Sequence, residues 1–309
     1  MIVVFGSINL DLVARVARLP LPGETIAGTS FDALPGGKGA NQALAARRAG
    51  AAVAMAGAVG NDPFAVNALA GLVAAGVDVG WVRHVAVPTG VALIHVDAAG
   101  QNAITVIPGA NVHALAADVP DTALGPETTL LLQLEVPLDA VCEVAARARR
   151  RGARVVLNAA PASALPAALL ATLDVLIVNA LEAAALAAAL ALPGAPEAFA
   201  AAAQRRFGGA VIVTLGSGGV VAAIEGASHS AAAPAVQVVD TTGAGDAFAG
   251  VLAAALDRGA DWVTAIAEGV AAGSLACTAR GAQPALPGLP AIRELARTVA
   301  PTMRSRPLD

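Results

Sequence analysis

The 309-residue chain is 57% hydrophobic but only 3% aromatic and lacks Tyr. This suits one large core plus a small appendage, built from Ala and Val side chains in close helix–sheet contact. A net charge of −4 argues against nucleic-acid binding, since the densest basic run is Arg147, Arg149, Arg150 and Arg151 at a predicted helix end. Two distant cysteines, Cys142 and Cys277, exclude a zinc or disulfide framework and fit a reducing cytoplasm, and no apolar run reaches the length of a membrane span.

Residues 2–5 predict a short buried strand ending at Gly6. Met1 to Gly6 has no basic n-region, and Asn9 and Asp11 come too early for an h-region, so no signal peptide is expected. Residues 12–31, interrupted by Leu21-Pro22-Gly23, read as short strands of an excursion. A glycine-rich turn at 35–39 precedes a helix over 40–49, then a strand over 53–59 and a helix over 63–75 stopped by Gly76. Residues 90–97 and 103–107, separated by Ala98-Ala99-Gly100-Gln101-Asn102, predict a hairpin that joins the 12–31 strands in a small β-sheet lid. After Pro108, strands are expected at 128–134, 155–158, 175–178 and 210–214, and helices at 138–151, 165–173, 181–190 and 198–207. Edge strands are expected at 220–224 and 236–238, and long helices at 246–256 and 261–279. Short apolar strands alternating with helices specify a parallel sheet covered on both faces, hence an α/β fold.

The strongest chemical pattern is Asp240-Thr241-Thr242-Gly243-Ala244-Gly245-Asp246, between a predicted strand and a helix. Gly243 and Gly245 leave backbone N–H groups uncovered at a helix start, where the dipole favours an anion. A carboxylate beside that anion would repel it unless it served as a base for an attacking hydroxyl. Asp246 also reads as a plain N-cap after a flexible turn.

A second pattern is Gly36-Gly37-Lys38-Gly39-Ala40-Asn41-Gln42. Its glycines permit close backbone approach to a ligand, and Lys38 and Asn41 offer donors, although an exposed Lys on a tight turn fits equally. Asn9 and Asp11 leave the first strand at its C-terminal end, where open α/β sheets bind ligands, and their alternation can point both one way. Glu135 lies just past another strand. Asn179 and Glu182, three apart at a helix start, could hold Mg²⁺ through water or simply cap the helix. Thr214-Leu215-Gly216-Ser217-Gly218-Gly219 follows a further strand and suits a nucleotide loop. All fall on one edge of one sheet. His84, His95, His113 and His229 are scattered without ligand spacing, and neither Walker A, Gly-x-Ser-x-Gly nor Gly-x-Gly-x-x-Gly occurs.

These motifs resemble the PfkB-type carbohydrate kinases over nearly the whole chain, and most specifically their ribokinase branch. The matching pieces are GSINLD from Gly6, PGGKGANQA from Pro35, GNDPF from Gly60, TGVALI from Thr89, PGAN from Pro108, QLEVP from Gln133, VTLGSGG from Val213, DTTGAGDAF from Asp240 and GAQPALP from Gly281. The resemblance implies a three-layer α/β/α fold with a mostly parallel central sheet. Residues 1–309 would be a single kinase domain, with lid strands at about 12–34 and 89–108 inserted in the core. It implies transfer of the γ-phosphoryl group of ATP to O5 of ribose. Asp246 would be the base, and the backbone of Gly243, Ala244 and Gly245 would hold the transferring charge. Asn9, Asp11, Gly37, Lys38, Asn41 and Glu135 would bind the sugar. Asn179, Thr214, Gly216, Ser217, Gly219 and Gly245 would contact the nucleotide, and Glu182 would organise Mg²⁺ with Asn179. Asp240, Thr242, Ala276, Ala279 and Gly281 would bind a potassium ion. A homodimer through the lid, in the cytoplasm, is also implied. Departures are Val270, where the family often has Asn near adenine, and Ala285, where Ser is common beside the cation. The rivals are the same chemistry on 2-deoxyribose or a nucleoside, and a sugar-binding regulator without catalysis.

Overall fold

The computed structural model describes residues 1–308. The chain opens with β1 (Ile2–Phe5), whose side chains alternate between two cores. Ile2 and Val4 join one apolar cluster and Val3 and Phe5 the other, the two-residue period of a strand covered on both faces. The chain then leaves the main sheet for β2 (Asn9–Val16) and β3 (Gly28–Gly36) before returning through α1 (Lys38–Arg48), β4 (Val53–Gly60), α2 (Pro63–Ala75) and β5 (Asp78–Val85). It leaves again for β6 (Gly90–Val96) and β7 (Asn102–Ile107).

From there the parallel part runs through β8 (Thr129–Leu132), α3 (Leu138–Arg150), β9 (Arg154–Asn158), α4 (Ala167–Leu170), β10 (Val175–Asn179), α5 (Ala180–Leu190), α6 (Pro196–Phe207) and β11 (Ala210–Thr214). An antiparallel edge of β12 (Val220–Ile224) and β13 (Ala227–Ala231) follows. The remaining elements are α7 (Ala244–Asp257), α8 (Trp262–Ala276), α9 (Ala282–Ala285), α10 (Leu289–Val299) and β14 (Arg304–Pro307). Among the described residues the main sheet has ten strands in the order β14-β13-β12-β11-β10-β9-β8-β1-β4-β5. Residues of α1, α2, α7, α8 and α10 contribute to the cluster on one face, and residues of α3, α4, α5 and α6 to the cluster on the other. This is the three-layer arrangement the alternating pattern predicts.

The lid forms as expected from the hairpin pattern, as a separate four-stranded sheet in the order β3-β2-β6-β7. Its two excursions are pinned where they leave the core. The Asn111 amide accepts from Ile8 N at 2.9 Å and donates to Asn9 Oδ1 at 2.7 Å and Pro108 O at 3.0 Å. Asp62 accepts from Thr89 N at 2.7 Å and Thr89 Oγ1 at 2.8 Å, just before β6.

Several expected elements differ. Residues 236–238 form no strand; β13 and β14 occupy the sheet edge instead. Edge strand β5 was not expected, because apart from buried Val82 its positions are exposed or half-buried and it includes Asp78, Arg83 and His84 rather than an apolar run. The helix expected over 165–173 shrinks to α4, because Pro166 precedes its first turn. The 261–279 helix ends at Ala276, and the 128–134 strand at Leu132, so Gln133 and Glu135 lie beyond the sheet edge. Helix α7 begins at Ala244, two residues earlier than expected.

The small-residue composition has a positional reason. A Cβ on Gly250 of α7 would lie 2.5 Å from the Gln42 carbonyl of α1. Only glycine lets these two helices approach closely enough to bring Asp246 against Asn41 and Gln42.

Candidate active site

The site lies at the C-terminal edge of the parallel strands, where the loops after β1, β8, β10 and β11 meet the starts of α1 and α7. Asp246 sits at the third position of α7 and is 7% exposed. Its Oδ2 accepts from Asn41 Nδ2 at 2.9 Å, and its Oδ1 from Gln42 Nε2 at 2.9 Å. Burial raises its pKa above the ordinary carboxylate value, opposed by the Lys38 charge and by these two bonds. The helix start beside it is capped by Gly243 in the left-handed conformation, φ 78°. The first-turn N–H groups have no partner within the helix, so the turn is an anion cradle next to a carboxylate.

Lys38 is the first residue of α1. Burial disfavours its charge, but Asp246, Glu135 and Glu182 around it prevail and raise its pKa. Glu135 is fixed by Ser7 Oγ at 2.6 Å and Lys38 N at 3.1 Å, which joins the loops after β1 and β8 to α1. Asp11 lies one alternation past Asn9 on β2. Burial, then the Glu135 and Asp246 charges, push its pKa to about 7. Gly37 holds φ 87° against the backbone of Ser7, Ile8 and Asn9. Asn9, Asp11, Gly37, Lys38, Asn41, Glu135 and Asp246 are thus brought together around one polar centre.

Asn179 and Glu182 form a reciprocal capping box. Glu182 N donates to Asn179 Oδ1 at 2.8 Å, and Asn179 N to Glu182 Oε2 at 2.8 Å. The capping alternative is therefore realised. Glu182 is also buried, its pKa raised chiefly by that burial, and with Lys38, Asn179 and Asp246 it lines a cavity of about 240 Å³. A neighbouring cavity of about 590 Å³ is lined by Thr214, Gly216, Ser217 and Gly219 on one side and by Val236, Val238, Phe248 and Val270 on the other. The two cavities share Thr214, Thr241 and Gly245. A polar compartment at Asp246 therefore continues into a larger, mainly apolar cavity, a pairing that suits a phosphate chain with an aromatic base. Residues 236–238, expected as a strand, supply part of that cavity.

Asp240 ties the loop before α7 to the segment after α8. Its Oδ1 accepts from Thr242 N at 2.9 Å and Thr242 Oγ1 at 2.7 Å, and its Oδ2 from Gly281 N at 2.9 Å. Despite partial burial, the Gly281 and Thr242 bonds hold its pKa below the ordinary value. Ala276 ends α8 and Ala279 lies in the turn after it. The Cys277 carbonyl between them accepts from Val239 N at 2.8 Å and Asp240 N at 3.3 Å. Among the described residues, no three His, Cys, Asp or Glu side chains form a metal-binding group.

Residue-type reasoning assigned no role to Ser7, Gln42, Asn111, Gln133 or Asn158, all buried at this site. The available signal was a polar residue inside an apolar run, as at Gln133 in Leu131-Leu132-Gln133-Leu134.

The chain matches the pfkB family of carbohydrate kinases over residues 1–289. It is 36% identical to ribokinase of Haemophilus influenzae over 289 residues, covering 92% of this chain and 94% of that one. The crystal structure of ribokinase from Thermotoga maritima superposes with a TM-score of 0.88 at 32% identity, covering 96% of this chain and 99% of that chain. Ribokinase of Arabidopsis thaliana, solved with ribose and ATP, superposes with a TM-score of 0.84 at 31% identity over 96% of this chain and 98% of its own. With a buried carboxylate beside an anion cradle and with these likenesses along its length, the chain belongs to the pfkB family of carbohydrate kinases.

Proposed function

We propose that the chain is a cytoplasmic ATP-dependent ribokinase that moves the γ-phosphoryl group of ATP to O5 of D-ribose. The observation that carries this is Asp246, a buried carboxylate in a polar compartment that continues into a larger apolar cavity. Asn9, Asp11, Gly37, Lys38, Asn41 and Glu135 bind the sugar hydroxyls. Asp246 accepts the proton of the attacking hydroxyl as the new P–O bond forms. The N–H groups of Gly243 and Gly245 face the transferring charge, and Ala244 N, which donates to Thr241 O at 3.3 Å in the free chain, joins them by giving up that bond. Thr214, Gly216, Ser217 and Gly219 hold the nucleotide, and the lid excludes water, the competing acceptor. No helix among the described residues is long and apolar enough to cross a membrane.

The test is ADP release across a sugar panel. Ribose should exceed 2-deoxyribose in kcat/KM by at least about fivefold, because an unpaired buried Asp11 costs about 1–3 kcal/mol. Equal values, or 2-deoxyribose ahead, would reject ribose as the acceptor.

Two ions belong to this reading. Buried Glu182, with Asn179 beside it, fits Mg²⁺ held through water, which neutralises phosphate charge when bound. Asp240 and Thr242, with the backbone of Ala276, Ala279 and Gly281, fit a potassium ion that stiffens the turn bearing Gly243–Gly245. Potassium should raise kcat/KM more than sodium does. Because Ala285 supplies no hydroxyl, Ala285→Ser should saturate at lower potassium. A flat response of the native protein to potassium rejects the site.

The lid leads us to propose a homodimer. Ile104 and Val106 are 53% and 50% exposed. The strand register places Ile104 and Val106 on the same face as Asp11. A second lid would cover this apolar surface. Light scattering at micromolar concentration should give a dimer mass; a monomer mass rejects it.

A further inference from the structure

Asp246 must meet two demands that conflict. A base has to be ionised, yet this carboxylate is buried and faces other charges on every side. Lys38 approaches from α1 and favours ionisation, whereas Asp11 from β2, Glu135 from the loop after β8 and Glu182 from α5 oppose it. The two amides on its oxygens therefore matter. An amide NH₂ only donates. Their bonds are charge-assisted while the carboxyl is ionised and weaken when it takes a proton.

Gln42 is held so that it presents the donor end. It is fully buried, and both hydrogens of its Nε2 are used, one on Asp246 Oδ1 and one on Asn158 Oδ1, each at 2.9 Å. Its Oε1 accepts from Gln133 Nε2 at 2.7 Å. Asn158 is turned the right way by its own Nδ2, which donates to Ile177 O at 3.3 Å. A flipped Gln42 would set its carbonyl against two oxygens and its NH₂ against the NH₂ of Gln133. Room for Gln133 comes from Gly6, where a Cβ would lie 1.8 Å from Gln133 Oε1.

Resting on the reading of Asp246 as the base, we propose that Gln42 is a positioning residue. Clamped by Gln133 and Asn158, it keeps Asp246 ionised and aimed at the attacking hydroxyl. A neutral donor suits this task. A second cation would also hold the anion, but it would weaken the base by lowering its proton affinity further.

The experiment is the pH dependence of kcat at saturating ribose and ATP for the native protein, Gln42→Met, Gln133→Met and Asp246→Asn. Saturation matters because Asp11 titrates in the free protein and shapes kcat/KM. In Gln42→Met the acid limb should move to higher pH by about one unit, lowering kcat up to roughly tenfold on that limb and little on the plateau, with the ribose KM within about threefold. Gln133→Met should move the limb the same way by less, since Asn158 still holds the Gln42 NH₂ toward Asp246. Should Gln42→Met fail to fold, the isosteric Gln42→Glu reads the same contact, and an acceptor there should move the limb further. An unmoved limb in these variants, with Asp246→Asn inactive, overturns the role of Gln42. Near-native turnover of Asp246→Asn removes the base reading itself, a separate result.

Discussion

Asp246→Asn should lower kcat by at least about a hundredfold, the low end of general-base effects, while the ribose KM changes by less than about threefold. Asn keeps the shape of the side chain, so Asn41, the Gly243 turn and the lid stay in place. What disappears is the ability to take a proton from the attacking hydroxyl. One carboxylate oxygen also becomes an NH₂, which meets the NH₂ of Asn41 or of Gln42 and loses one of the two 2.9 Å bonds. That local cost affects stability more than sugar binding, because both partners are protein groups. Steady-state kinetics and equilibrium ribose binding on the purified variant separate the two. Turnover within tenfold of native would take Asp246 out of the base role.

Asp11→Asn should stabilise the ligand-free protein while weakening ribose binding. Asp11 has its pKa raised to about 7 in the folded chain by burial and then by Glu135 and Asp246. The unfolded carboxyl titrates near the ordinary value of 3.8. Between these values the folded state binds more protons, so stability contributed by the protonated group is fully present below 3.8 and lost as pH rises through about 7. At pH 8 the ionised side chain is a net burden. Removing its charge should raise Tm at pH 8 by at least about 3 °C, with little change at pH 4. The same substitution deprives a vicinal diol of a charged acceptor, so the ribose KM should rise at least about tenfold. Calorimetry at the two pH values, with kinetics at pH 8, reads both. A lower Tm at pH 8 would mean that Asp11 is not under electrostatic strain.

The parallel sheet was legible because β1, β8 and β10 are short, apolar and fully buried along most of their length. The two-part lid was legible from its turn residues. What escaped was set by partners far away in sequence. Strand β5 carries Asp78, Arg83 and His84 because it lies at the sheet edge, which no local pattern announces. Gln42 sits in a helix and Gln133 past a strand end, and each looks like a polar residue in a poor place until 91 residues of separation close into one bond. Asn179 and Glu182 show the reverse. Their spacing permitted a metal or a cap, and the cap is what the backbone at the start of α5 needs regardless of ligand.

The interior position of β1, between β8 and β4, also sets a schedule for the growing chain. Its partners are β4, starting at Val53, and β8, starting at Thr129. A ribosome adding about 5–20 residues per second must therefore work for several seconds before the first strand is covered on both edges. During that interval Ile2–Phe5 is an open apolar edge, the kind of segment that chaperones hold and aggregates recruit. Synonymous changes that slow translation between codons 60 and 130 should consequently lower soluble yield more than the same changes placed after codon 250, even though the finished proteins are identical.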